Sequence, residues 1–129
     1  MIAVIDASVI IAHLQREPGG EAFLDAMTEG SAISAVNAAE VAKRMRLNGA
    51  NDDSIARQMA RLQPLIIAFD YQHLADFVAT LPHAKRANLS LADCACLATA
   101  RHLRLPALTA DKAWAEIAGD VGVEVVVVR

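Results

Sequence analysis

The sequence predicts an α/β fold of three layers, α/β/α, around a five-stranded, mainly parallel central sheet. Three observations lead there. Short β-branched apolar segments alternate with helix-forming stretches along the chain, and strands separated by helices need crossover connections. The strand segments are apolar throughout rather than alternating, as in a sheet covered on both faces. The chain has 129 residues, 55% of them hydrophobic and 21% charged. That is enough to bury a core without staples and too apolar for disorder.

The elements follow in order. Residues 2–5 (Ile-Ala-Val-Ile) read as a buried strand and residues 7–14 as a short helix. Pro18-Gly19-Gly20 breaks the chain. Residues 21–28 look helical, with Phe23, Leu24 and Met27 on one side, and Gly30 punctuates before a brief strand at 31–34. Residues 35–48 form an Ala-rich helix that stops at Asn48-Gly49, a good C-terminal signal. Asn51-Asp52-Asp53 caps a helix over 53–62, Pro64 ends it, and Leu65 to Ala68 is the third strand. The spacing of Leu74, Phe77, Val78 and Leu81 predicts a helix over 70–80, followed by a basic loop, Pro82 to Asn88, carrying His83, Lys85 and Arg86. A long helix over 91–104, a strand at 106–109, a helix over 112–118 and a strand at 123–128 complete the chain.

Composition narrows the class further. The apolar runs near residues 121–128 fall far short of the roughly 20 residues that span a bilayer, so no membrane association is expected. Asp6 interrupts the apolar N-terminus, so a secretory signal is not expected either. Cys94 and Cys96 are too close for an ordinary bridge and read as reduced thiols of a cytoplasmic protein. The net charge of −3 does not advertise a nucleic-acid binder. If four acids are gathered in a metal pocket, however, the remaining acids and bases nearly balance, and such a chain can still present a phosphate-friendly surface.

Ligands of open parallel sheets bind beyond the C-terminal strand ends, and four acids should lie on that edge. Asp6 follows the first strand, Glu40 lies in the second turn of the helix after the second strand, Asp93 lies in the first turn of the long helix after Ser90, and Asp111 follows the fourth strand. Taken singly, Asp6 and Asp111 are also good helix N-caps, and Ser90-x-x-Asp93 has the form of a capping box. Glu40, beyond the capping positions and among Val36, Ala39 and Val41, is either solvent-facing or turned into a shared site. Four carboxylates on one rim repel one another and lose solvation. Oxygen ligands of this kind suit Mg²⁺ or Mn²⁺.

These residues also carry a family resemblance. The opening Met-Ile-Ala-Val-Ile-Asp6-Ala-Ser8-Val-Ile-Ile-Ala-His-Leu14, the stretch Ile33-Ser-Ala-Val-Asn37-Ala-Ala-Glu40-Val, the stretch Leu89-Ser-Leu-Ala-Asp93-Cys-Ala-Cys-Leu-Ala-Thr-Ala100, and Leu108-Thr109-Ala-Asp111-Lys-Ala-Trp resemble, in order and spacing, the four motifs of PIN-domain nucleases. The length and the trailing Val-rich strand are similar to the compact VapC-like toxins of bacterial toxin–antitoxin pairs. The resemblance implies a single PIN domain over residues 1–129 with strand order 3-2-1-4-5. It further implies a Mg²⁺-dependent endoribonuclease, with Mn²⁺ as an alternative ion, whose catalytic and metal-binding residues are Asp6, Glu40, Asp93 and Asp111. Ser8, Asn37 and Thr109 match polar positions that orient carboxylates or a metal-bound water; each also suits a helix start. A cognate VapB-like antitoxin covering the acidic groove, and homodimerisation, are implied likewise.

Lys43, Arg44, Lys85, Arg86 and Lys112 flank the acids in sequence and are candidates for gripping RNA phosphates, as against an ordinary solvated charge face. Arg46 follows on the same helix as Lys43 and Arg44. Met45, Leu47, Ile55, Met59 and Leu62, with Phe69, Leu74 and Phe77, are candidate dimer stripes, some of which must be core. His13, His73, His83 and His102 share no ligand spacing and read as surface or boundary residues. Trp114 reads as core rather than as a base-stacking platform. Two other classes compete. A signalling receiver-like domain would want paired acids early, an aspartate after the third strand and a lysine after the fifth; Asp70 follows the third strand, but only Asp6 stands early and no lysine follows Val128. A PIN-like module that binds RNA or protein without cutting is separated from the nuclease only by an assay.

Overall fold

The computed structural model describes residues 2–129; Met1, the first residue of the opening motif, lies outside the described residues. Its centre is β1 (Val4–Ile5), whose two side chains point to opposite sides of the sheet. Val4 packs with Cys96, Leu97, Trp114 and Ile117. Ile5 packs with Val9, Ile10, Phe23, Ile33 and Val41. Two apolar clusters therefore sandwich one sheet, which is why the strands are apolar at every position rather than at every second one.

Every strand pairing is parallel. β1 pairs with β4 (Ala107–Thr109), which pairs with β5 (Val125–Val127), and β2 (Ile33–Ser34) pairs with β3 (Ile66–Ile67). The five strands thus form two hydrogen-bonded groups. They are joined at β1 by a bridge between Val4 and Ala32, where Ile5 N–H donates to the Ala32 carbonyl at 2.8 Å and Ala32 N–H to the Ala3 carbonyl at 2.9 Å. Read across that bridge, the spatial order is β3-β2-β1-β4-β5, as the resemblance implies.

The helices are α1 (Ala7–Leu14), α2 (Glu21–Glu29), α3 (Ala35–Leu47), α4 (Asp52–Leu62), α5 (Leu74–Ala84), α6 (Leu91–Leu103) and the short α7 (Ala118–Val121). α6 is buried continuously from Cys94 to Ala100, because it lies between the sheet and α5. Alanines at 95, 98 and 100 allow that close approach. Both cysteines are free and buried. Gly20, at the start of α2, has no room for a side chain: a Cβ there would stand 2.6 Å from His13 Cα.

Several expectations need correction. Pro82 does not open a loop; it sits in the last turn of α5, where its missing N–H would have bonded the carbonyl of Val78, a residue 59% exposed, so that water can satisfy the oxygen. Residues 71–73 form a 3₁₀ turn before α5, and the expected helix over 112–118 is a 3₁₀ segment (Lys112–Glu116) followed by α7. His73 is buried rather than a boundary residue, its ring stacked on Phe69 and its Nδ1 3.2 Å from Asp70 Oδ1. Leu62, a candidate dimer residue, is fully buried core, and Met45 and Met59 pack against the same cluster. Leu47 and Leu74 remain exposed. Trp114 is fully buried, as expected.

Candidate active site

The parallel sheet ends on one edge with Asp6 after β1 and Asp111 after β4, while α3 and α6 begin there with Ser34 and Ser90 as N-caps. Asp6 occupies the N-cap position of α1 but makes no capping bond. Its Oδ2 accepts instead from Ser8 Oγ at 2.5 Å and from Thr109 Oγ1 at 2.9 Å. The carboxylate is 2% exposed, and its other oxygen, Oδ1, is buried with no hydrogen-bond partner. A buried acceptor left in this way is costly unless something else occupies it.

Ser8 and Thr109 also lock the neighbouring strand end. Ser8 Oγ accepts from Ala110 N–H at 2.9 Å, and Thr109 Oγ1 accepts from Asp111 N–H at 3.1 Å. Two hydroxyls therefore fix Asp6 relative to Asp111. Asp111 in turn accepts the Ala113 N–H through Oδ1 at 3.0 Å. Asp93 closes the expected capping box, its Oδ2 accepting from Ser90 N–H at 2.8 Å while Asp93 N–H donates to Ser90 Oγ at 3.1 Å. Asp93 and Asp111 are thus caps as well as cavity residues, and each cap uses one carboxylate oxygen, leaving the other for a ligand.

Asn37 is fully buried. Its Oδ1 accepts from Ala7 N–H at 2.9 Å and its Nδ2 donates to the Ala92 carbonyl at 3.0 Å. One side chain of α3 thereby ties the start of α1, beside Asp6, to the first turn of α6, beside Asp93. Glu40 stands one turn further along α3 and is partly buried.

Asp6, Glu40, Asp93 and Asp111 all line one cavity of about 340 Å³, together with Ser8, Ile11, Gln15, Glu17, Arg44, Ala110 and Arg129. Burial pushes the Asp6 carboxyl up to about 7; the Ser8 and Thr109 hydrogen bonds oppose the shift, and the charges of Asp93 and Glu40 add to it. Glu40 is raised by burial and by Asp93, against the pull of Arg44 and Lys43. Asp93 is raised by burial and by Asp111, against its bonds to Ser90. Like charges in a poorly solvated place hold their protons more tightly. As they stand, no group of three or more His, Cys, Asp or Glu side chains among the described residues is arranged to hold a metal ion.

The basic candidates divide. Arg44 lines the cavity, and Lys43 lines an adjoining hollow that shares Glu40 with it. Lys85, Arg86 and Lys112 do not line the cavity. Arg86 is engaged with Asp120 instead. Sequence reasoning missed Gln15, Glu17 and Arg129, which lie beyond any of the four motifs and reach the cavity only through folding.

Residues 3–120 match the PIN domain family. The fold is similar to a toxin–antitoxin complex from Klebsiella pneumoniae, with 25% identity, a TM-score of 0.74 and 98% of each chain covered. It is similar to FitAcB from Neisseria gonorrhoeae at 24% identity and a TM-score of 0.69, with 96% of each chain covered. It is also similar to VapBC-1 from nontypeable Haemophilus influenzae at 15% identity and a TM-score of 0.73, with 98% of each chain covered. No curated protein matches the chain significantly. A family match spanning nearly the whole chain, on a parallel sheet of the expected order, places this chain in the PIN domain family.

Proposed function

We propose that the chain is a Mg²⁺-dependent endoribonuclease, able to use Mn²⁺, and the toxin of a VapBC-like pair that cleaves RNA and so inhibits translation or growth. The observation that carries this reading is the buried, partnerless Oδ1 of Asp6 in a cavity that Glu40, Asp93 and Asp111 also line. Hard oxygen donors that raise one another's affinity for protons are suited to a hard divalent cation. In this reading Asp6, Asp93 and Asp111 hold the ion, with Glu40 beside them, after the side-chain adjustment that cancelling their repulsion permits. The bound ion would lower the pKa of a water and screen charge on phosphoryl oxygens.

The chain's own residues do the rest. Ser8 and Thr109 hold Asp6 by one oxygen and leave the other for the ion. Asn37 keeps the helices carrying Asp6, Glu40 and Asp93 in register. Glu40, partly exposed, orients the attacking water. Arg44 and Lys43 meet the phosphate backbone beside it. The Klebsiella relative is a toxin–antitoxin complex, which supports a VapB-like antitoxin as partner; in this reading it covers the acidic cavity. A homodimer would cover Leu47 or Leu74. None of the helices is long and apolar enough to cross a membrane among the described residues, and an RNA substrate puts the working protein in the cytoplasm.

The test is cleavage of single-stranded RNA with and without Mg²⁺, by the parent and by Asp6→Asn and Asp93→Asn. Cutting by the parent in Mg²⁺ alone, lost in both variants, is the expected outcome. Equal cleavage under all conditions identifies a contaminating nuclease. RNA binding with no cleavage in Mg²⁺ or Mn²⁺ replaces the enzyme with a binding module.

A further inference from the structure

Arg129 is a cationic cavity residue that the four motifs do not explain. It follows β5 and is clasped by the loop between α1 and α2: Nη2 donates to Glu17 Oε2 at 2.8 Å and Nε to the Pro18 carbonyl at 3.2 Å. The clasp depends on Gly19, whose φ of +92° suits glycine and whose Cβ, if present, would stand 2.9 Å from the Val128 carbonyl oxygen and 3.3 Å from Arg129 Cβ. The backbone of Val128, just after β5, thus lies directly against the loop. The guanidinium has five N–H donors in a rigid fork, and the two bonds of the clasp leave Nη1 free to donate elsewhere. Arg44 comes to the same cavity from α3.

We infer that Arg129, set by the Glu17–Pro18–Gly19 loop, grips a phosphate of the RNA strand at the acidic cavity, and that Arg44 grips another. This rests on the ribonuclease reading and adds to it the residue that positions the strand. A cavity lined by five carboxylates repels a polyanion unless cations beside it compensate. Arginine is the side chain whose fork matches a phosphate edge. Glu17 holds Arg129 in place before RNA arrives and competes with the phosphate for it afterwards.

The test is binding of a single-stranded RNA oligonucleotide in Mg²⁺ by the Asp6→Asn protein, followed across salt concentrations. Adding Arg129→Ala should weaken binding about five-fold and reduce the slope of log affinity against log salt by about 0.7, the loss of one phosphate contact on a single strand. Adding Arg44→Ala should take away a similar amount again. Arg129→Lys should restore the slope, and Glu17→Gln should tighten binding. Unchanged affinity and slope in Arg129→Ala, beside a parent that binds, overturn this inference and leave the ribonuclease reading standing. A slope that Arg129→Lys does not restore assigns Arg129 a structural role only. Cutting by Asp6→Asn at the parental rate overturns the ribonuclease reading as well, whereas failure of Asp6→Asn to bind RNA while the parent cuts overturns this inference alone.

Discussion

The side-chain oxygen of Asn37 accepts the backbone N–H of Ala7 at 2.9 Å, across 30 positions of sequence and wholly inside the protein. The same side chain donates to the Ala92 carbonyl. Asn37→Ala leaves a buried N–H without a partner and should cost about 2–3 kcal/mol of unfolding free energy. Because Asp6 and Asp93 flank those two backbone groups, RNA cleavage should fall further than the loss of folded protein accounts for. Asn37→Asp keeps the acceptor for Ala7 but faces the Ala92 carbonyl with an anion, and should be at least as damaging. Urea unfolding beside single-turnover cleavage checks both; a variant that is destabilised but cuts normally when folded would reduce Asn37 to a packing residue.

Acid should stabilise the metal-free protein. The Asp6 carboxyl titrates near 7 when folded and near 3.8 when unfolded, because burial disfavours its charge. A raised folded pKa means that stability is fully present below the unfolded value and is lost as pH rises through the folded one. Glu40 and Asp93 shift in the same direction. Asp120, which Arg86 holds below its usual range, acts oppositely, but only at pH values under about 4. The melting temperature without metal should therefore fall by roughly 5–10 °C between pH 5.5 and pH 8. Mg²⁺ needs the ionised carboxylates, so its stabilising effect should be larger at pH 8. Asp6→Asn should flatten both trends, and it should melt higher than the parent at pH 8 without metal while cutting no RNA. A melting temperature that rises with pH in chelator would show that Asp6 is not buried as an acid.

Three of the four acids were legible from local rules: Asp6 and Asp111 sit at helix starts directly after strands and Asp93 in a capping box, whereas Glu40, one turn deeper in α3, was marked only by its spacing. Asp6, Asp93 and Asp111 are readable as caps, and parallel strands send their ends to one edge. Continuous apolar runs also marked the strands as core, and Val4 and Ile5 do face opposite sides of one sheet. What was not legible is non-local. Glu17 and Arg129 are 112 positions apart and meet because β5 ends against a glycine of the first loop, a contact that no window of sequence contains. Pro82 misled because proline usually marks a stop, yet the last turn of a helix tolerates it where the freed carbonyl faces water. Arg86, which looked available for RNA, had its partner in Asp120, 34 residues away. The burial of His73 depended on stacking with Phe69 and packing against His102 from α6, again beyond local pattern.

Two glycine substitutions should separate packing from propensity. At Gly20 a new Cβ would meet the backbone of α1, 2.6 Å from His13 Cα, 2.7 Å from His13 N and 2.8 Å from Ala12 C. Backbone atoms inside a helix cannot swing aside as the end of a flexible side chain can, so α2 must move off α1. Gly20→Ala should cost on the order of 3 kcal/mol, although alanine is the better helix former. Gly119 in α7 has nothing within 4 Å of the same position, so Gly119→Ala should leave stability unchanged or raise it by up to about 1 kcal/mol. Urea midpoints of the two variants should lie on opposite sides of the parent or, for Gly119→Ala, on it. Equal loss in both would mean that backbone freedom in the folded state, rather than the approach of α2 to α1, is what glycine supplies at residue 20. The loop clasping Arg129 ends at Gly20, so RNA affinity should weaken in Gly20→Ala and stay at the parental value in Gly119→Ala.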